Sequence, residues 1–188
     1  MQDQNIEKSA LTAQKMYELF SVKSVKTGFL NDPTTAQCSV YYKGKIIASF
    51  YDPGCGGGVA EVNFKTDKAE QEFNNFCNEF DAQSFFNRED MNNHDVFIYI
   101  VNDLINKANE QKNLVKIEKR CKKSIVYGTP LRFHEVGFTG IKDLAEMLEY
   151  EEGLKLLQEI YDNAKAKLGE GDKIYNPTEQ LTKLGIKP

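Results

Sequence analysis

The sequence points to an α+β fold: an antiparallel β-meander packed by helices, then a mostly helical C-terminal half carrying a short two-stranded element. Three observations lead there. Runs of β-branched and aromatic residues, punctuated by turn residues, recur over residues 22–64. Apolar residues then return at helical spacing over 94–123 and again beyond 140. Two short β-prone runs, 124–127 and 131–136, flank Gly128-Thr129-Pro130 between those helical stretches.

A first helix over residues 6–20 places Ile6, Ala10, Ala13, Tyr17 and Phe20 on one face. Residues 22–30 then read as a strand, and Asn31-Asp32-Pro33 as a turn. Residues 38–42 and 45–51 form a hairpin about Lys43-Gly44, because glycine suits the second position of a two-residue turn. Val40, Tyr42, Ile46, Ala48 and Phe50 are expected on one face of it. A glycine loop leads to a further strand over 59–64.

Thr66 or Asp67 can cap a helix over 68–80, whose apolar side holds Phe73, Phe76, Cys77 and Phe80. Residues 81–93 are polar and read as a linker. A long helix over 94–123, capped by Asn93 or Asp95, carries Phe97, Ile98, Val101, Leu104, Ile105 and Ala108, with a bend near Asn113 where the apolar stripe fades. Thr139 caps a helix holding Ile141, Leu144, Ala145 and Leu148, and a second begins after Glu151-Glu152 with Leu154, Leu157, Ile160, Tyr161, Ala164 and Leu168. Gly169 and Gly171 stop it, leaving Leu181, Leu184 and Ile186 to dock the tail. The 188 residues read as a single domain, with a seam that would separate 1–80 from 94–188.

Composition narrows the function. A net charge of −4 argues against coating nucleic acid through global charge, while permitting a local basic patch. No apolar run approaches the roughly 20 residues of a membrane span, and residues 1–5 lack the pattern of a secretory signal. A cytoplasmic protein without membrane contact is expected. The four cysteines (Cys38, Cys55, Cys77, Cys121) lie far apart, and neither His94 nor His134 is near one, so free thiols are favoured over a zinc site. Nothing calls for a cofactor or metal, and Glu89-Asp90 and Glu151-Glu152 read as solvated surface.

Two features carry the functional argument. The run Asp52-Pro53-Gly54-Cys55-Gly56-Gly57-Gly58 is either a wide hairpin corner or a bed of N–H groups for an anion. It lacks the spacing and following helix of the nucleotide-binding glycine loops. The second feature is basic. Lys116, Lys119, Arg120, Lys122 and Lys123 crowd one helix end, and Lys112, Lys116, Arg120 and Lys123 form a ridge opposite Leu114, Ile117 and Cys121. Arg132 and His134, read as lying on one side of the next strand, extend it. Such a ridge is either a solvated end that complements the helix dipole or an anion-contacting surface. Cys55 would be a nucleophile only with His94 or His134 as its base.

The segments Tyr42-Lys43-Gly44-Lys45-Ile46-Ile47-Ala48, Asp52-Pro53-Gly54-Cys55-Gly56-Gly57 and Lys119-Arg120-Cys121-Lys122-Lys123-Ser124-Ile125-Val126-Tyr127 resemble parts of small uncharacterised proteins of bacteriophages and bacterial mobile elements. That resemblance covers residues 38–64 and 94–127. It implies a phage-like accessory protein acting on a host system in the host cytoplasm.

The expectation is therefore a non-catalytic binding protein for an anionic ligand (a nucleotide-type small molecule, nucleic acid or an acidic face of a host protein). Its contacts would be Gly54, Cys55, Gly56, Gly57, Gly58, Lys112, Lys116, Lys119, Arg120, Lys123 and Arg132. A structural or assembly protein, homo-oligomeric or not, and a Cys- or His-dependent hydrolase are the alternatives.

Overall fold

A computed structural model describes residues 15–28, 34–54, 59–79 and 92–188. The fold is α+β, in two compact units, Met1–Ala108 and Asn109–Pro188. The division falls inside a long helix, whereas most of the polar stretch 81–93 lies outside the described residues.

In the first unit, residues 15–19 are helical and run into β1 (Phe20–Thr27), two residues earlier than the β-branched pattern suggests. The remainder of the expected first helix and the turn Asn31-Asp32-Pro33 lie outside the described residues. Strands β2 (Ala36–Tyr42), β3 (Lys45–Asp52) and β4 (Glu61–Phe64) complete an antiparallel sheet in the order β1-β2-β3-β4. Lys43 and Gly44 sit at φ 47° and 79°. Positive φ at both central residues lets the turn follow the right-handed strand twist.

One expectation for this hairpin is overturned. Val40, Ala48 and Phe50 are buried, but Ile46 is exposed and Ile47 takes its place inside. The cause is a bulge: Val40 faces Ala48 while Tyr41 faces Ile46, leaving Ile47 unmatched. An extra residue resets the two-residue alternation of the strand.

Helix α1 (Asp67–Glu79) is capped by Thr66, whose Oγ1 accepts from the Ala69 N–H at 3.1 Å. Helix α2 (Asn93–Arg120) opens with a reciprocal cap from the preceding residue, Asn92. Asn92 Oδ1 accepts from the Asp95 N–H at 3.0 Å, and Asp95 Oδ2 accepts from the Asn92 N–H at 3.3 Å. The cap is therefore Asn92 and not Asn93. Phe73 and Phe76 of α1 and Val96, Phe97, Ile100, Val101, Leu104 and Ile105 of α2 close over the sheet with Phe20, Val40 and Phe50. Phe73 meets Phe97 edge-on at 4.9 Å, and Phe20 meets Phe76 likewise at 4.9 Å. Such pairs add about 0.5–1.5 kcal/mol each beyond the area they bury.

The expected bend at Asn113 does not interrupt the helix, which runs 28 residues without a break. The Asn113 side chain donates to the Pro130 carbonyl at 3.0 Å, so it does not compete with its own backbone.

The second unit is built on a small sheet: β5 (Ser124–Gly128), β6 (Phe133–Gly137) and β7 (Lys173–Ile174), in the order β6-β5-β7. The third strand joins the two expected ones, and at two residues it is too short to leave a sequence pattern. Val126 packs against Ile117, Cys121, Phe133 and Tyr175. Ile125 and Tyr127, on the opposite face, pack with Leu144, Leu157, Tyr161, Leu181 and Ile186.

Leu144–Glu149 is a 3₁₀ helix capped by Asp143, whose Oδ1 accepts from the Ala145 N–H at 2.9 Å, in place of the expected Thr139 cap. Three residues per turn bring Leu144 and Met147 inward and leave Leu148 exposed. Helix α3 (Gly153–Ala166) buries Leu157, Tyr161 and Ala164 but exposes Leu154. A Cβ on Gly153 would lie 1.7 Å from the Met147 carbonyl oxygen, so only glycine fits that corner. Helix α4 (Thr178–Lys183) and the tail bury Leu181, Leu184 and Ile186, as their apolar pattern suggests.

Asn176 ties the tail to the sheet. Its Oδ1 accepts from the Val126 N–H at 2.8 Å, and its Nδ2 donates to the carbonyls of Cys121 at 3.0 Å and Ser124 at 2.9 Å. Asn176→Ala strands the Val126 N–H and the Ser124 carbonyl, at about 1–3 kcal/mol for each one left unpaired, while the Cys121 carbonyl keeps a bond from Gln180 Nε2 at 2.8 Å. The expected loss is about 2 kcal/mol or more, measured as a lowered midpoint in urea unfolding, with Asn176→Asp recovering only the Val126 contact.

Candidate functional site

The glycine run joins β3 to its antiparallel neighbour β4, which makes it a hairpin connection. Cys55, Gly56, Gly57 and Gly58 lie outside the described residues. Gly54 has φ 83°, a backbone that glycine adopts without strain, and its N–H donates to Asp52 Oδ1 at 2.8 Å. That donor is therefore occupied by a carboxylate, the opposite of what an anion nest requires. Gly54 belongs to the first unit and the basic ridge to the second.

The ridge is built on the last turns of α2. Lys112, Lys116 and Lys119 are exposed, and they form no ion pair among the described residues. Lys116 Nζ donates to Asn113 Oδ1 at 3.3 Å. The helix ends at Arg120, so Lys123 stands in the following turn, its N–H bound to the Arg120 carbonyl at 3.0 Å. Arg120 is the paired member. Its Nη1 binds Glu135 Oε1, and its guanidinium lies 5.8 Å from the centre of the Phe133 ring. With both side chains partly open to water, this pair contributes about 0.2–1 kcal/mol and opens readily.

Arg132 is exposed at the end of a tight turn in which Thr129 and Arg132 exchange backbone hydrogen bonds at 3.1 Å. His134 does not extend the ridge. Strand alternation turns it to the face opposite Phe133 and Glu135, where it stacks on Tyr127 at 5.4 Å. Arg132 and His134 are expected to extend the ridge from one side of the strand, but the pleat separates His134 from the Arg120–Glu135 pair.

A groove of about 350 Å³ opens between α2 and the tail, lined by Leu114, Ile117, Cys121, Tyr175 and Pro177 with Glu118, Lys122 and Gln180. Sequence reasoning missed it because its two walls are more than 50 residues apart and neither wall carries a motif. The hydroxyl oxygen of Tyr175 is buried with no hydrogen-bond partner among the described residues. Burial, with Asp172 and Glu110 nearby, pushes its pKa up. Among the described residues, no group of three or more His, Cys, Asp or Glu side chains gathers as a metal site would require. No described helix is long and apolar enough to cross a membrane. Comparison with protein-family models, curated proteins and solved structures found no match.

Burial sets the chemistry of the three described thiols. It pushes Cys38 and Cys77 up to about 12, and Cys121 up to about 11, where nearby Glu118 adds to the effect. All three stay protonated at neutral pH and are poor nucleophiles. Because the folded state holds the proton more tightly than an unfolded thiol at 9.0, this stabilisation is complete below pH 9 and is lost as pH rises toward 11–12. Folding stability is therefore expected to fall across that alkaline window, less so in Cys38→Ala. Iodoacetamide at pH 7 should leave Cys38, Cys77 and Cys121 unmodified in the native protein and label all three after unfolding, read by peptide mass spectrometry.

Proposed function

We propose that this protein is a non-catalytic binding protein that holds an anionic ligand on the basic end of α2, in an accessory role of the kind its phage-like segments suggest. One observation carries the proposal: Lys112, Lys116 and Lys119 stand exposed without an acidic partner among the described residues, on a chain whose net charge is −4. Residues 109–123 hold six basic side chains against the two acids Glu110 and Glu118. Like charges three and four residues apart on a helix repel, and an anion relieves that repulsion as it binds.

Arg120 adds a directional element. Its planar guanidinium can hold a carboxylate or phosphate through two parallel bonds, and exchanging Glu135 for the ligand costs little because that pair is partly open to water. Lys123 extends the positive surface beyond the helix end, and Arg132 belongs to the exposed turn whose Pro130 carbonyl meets Asn113, between Lys112 and Lys116 in the helix. Gly54 offers no free amide to an anion, since its N–H is already bound to Asp52.

The test is fluorescence anisotropy with a labelled oligonucleotide, a labelled acidic peptide and a labelled nucleotide, each at low and at raised salt. At least one probe should bind, and weaken as salt rises. The double variant Lys116→Glu, Lys119→Glu should weaken it by about tenfold or more, as two reversed charges imply. Lys155→Glu, a single charge reversal on the exposed side of α3, should leave binding unchanged, whereas Lys116→Glu alone should weaken it. Equal affinity in the double variant and the native protein would remove the proposal.

A further inference from the structure

The small sheet has an open edge among the described residues, and strand alternation sets which of its backbone groups face outward. In the order β6-β5-β7, β6 is paired on one side only among the described residues. The Val126 carbonyl accepts from the Tyr175 N–H at 2.8 Å and the Val126 N–H donates to Asn176 at 2.8 Å, so both backbone groups of Val126 point away from β6. Backbone groups alternate sides along a strand. Those of Ile125 and Tyr127 therefore point toward β6, where Val136 and His134 are their register partners. By the same alternation, Phe133, Glu135 and Gly137 turn their N–H and C=O groups outward. Among the described residues, no backbone partner meets them.

Basic residues accompany this edge along its length. Arg132 directly precedes it. Arg120 reaches its centre through Glu135. Lys123 lies at its far end, where its carbonyl oxygen comes within 2.9 Å of the place a Cβ on Gly137 would occupy. The pairing of β6 with β5 is regular at every position, so the edge is straight enough to be copied. On the other sheet, the open side of β1 is broken by a bulge between Lys23 and Lys26, with Ser24 at φ 56°. Bulges and lysines of that kind blunt strand addition, and β6 has no bulge.

We propose that the β6 edge takes up an extended acidic polypeptide as a fourth strand, with carboxylates toward Arg132 and Lys123 and an uncharged residue opposite Glu135. This inference rests on the anion-binding proposal and names the class of its ligand. A polypeptide alone can continue the ladder with its own N–H and C=O groups, whereas nucleic acid would engage only the charges. A second copy of this chain fits poorly. Antiparallel self-pairing centred on the middle residue sets Glu135 against Glu135, and like charges directly opposite destabilise a pair.

The test uses the full chain and a labelled pentapeptide with aspartate at both ends and Val-Thr-Val between. Binding should slow amide hydrogen exchange at Phe133, Glu135 and Gly137 by about tenfold, leaving His134 and Val136 nearly unchanged, because their groups are already bonded. Glu135→Pro deletes an outward donor without breaking a bond to β5, a position where an edge strand tolerates proline. It should weaken the peptide by about tenfold, as loss of a ladder bond implies. Glu135→Gln keeps the donor and should bind at least as well as the native protein. Binding without protection of those three amides, or full affinity in Glu135→Pro, overturns the inference, and the exchange pattern alone decides if that variant does not fold. Oligonucleotide binding without peptide binding also overturns it while sparing the anion-binding proposal. Failure of every anionic probe removes both.

Discussion

Asn176 is the constraint on which the second unit depends. A carboxamide has one acceptor and two donors in a fixed plane, and here all of them are used on the backbone of residues 121–126. Gln180 adds a bond to the Cys121 carbonyl at 2.8 Å, so two amide side chains from one segment close the turn between α2 and β5. This orders the carbonyls that a helix end leaves without intrahelical partners. It also fixes which way β5 turns its ladder, and with it which groups of β6 look outward. The apolar groove, the end of the basic ridge and the open edge share this origin.

The two units are held by different means. In the first, sheet and helices enclose a cluster of phenylalanines in edge-on contact, and most of the stabilisation is burial of aromatic area. The second has fewer large side chains and relies on buried polar closure as well as on the apolar layer around Leu157 and Tyr161. Polar closure is the more sensitive of the two to single substitutions, because each missing partner strands a group that water cannot reach.

Much of this was legible in the chain. The meander, the Lys43-Gly44 turn, the Thr66 cap and the docking of Leu181, Leu184 and Ile186 follow from local chemistry that a sequence displays directly. The Ile46–Ile47 exchange was hidden because two adjacent isoleucines cannot declare which one a bulge will turn inward. The 3₁₀ segment after Asp143 looked like an α-helix because six residues are too few to separate a period of 3.0 from 3.6. The exposed lysines of the ridge were visible in the sequence, but the Arg120–Glu135 pair was not. It depends on β6 returning to α2, as the groove depends on the tail returning to residues 114–122. Strand β7 lies beyond sequence reasoning for the same reason: only its partner β5 makes it a strand.

The separation in sequence of the Asn176 contacts has a consequence for biosynthesis. Its bonds to Val126, Ser124 and Cys121 span 50, 52 and 55 residues. Closing so long a loop is slow compared with forming a helix or a hairpin. On the ribosome, the turn after α2 and its central strand must wait, incompletely bonded, until residues 173–186 have emerged. The buried aromatic cluster of the first unit is drawn from residues 16–105, so it can form while the second unit is still being made.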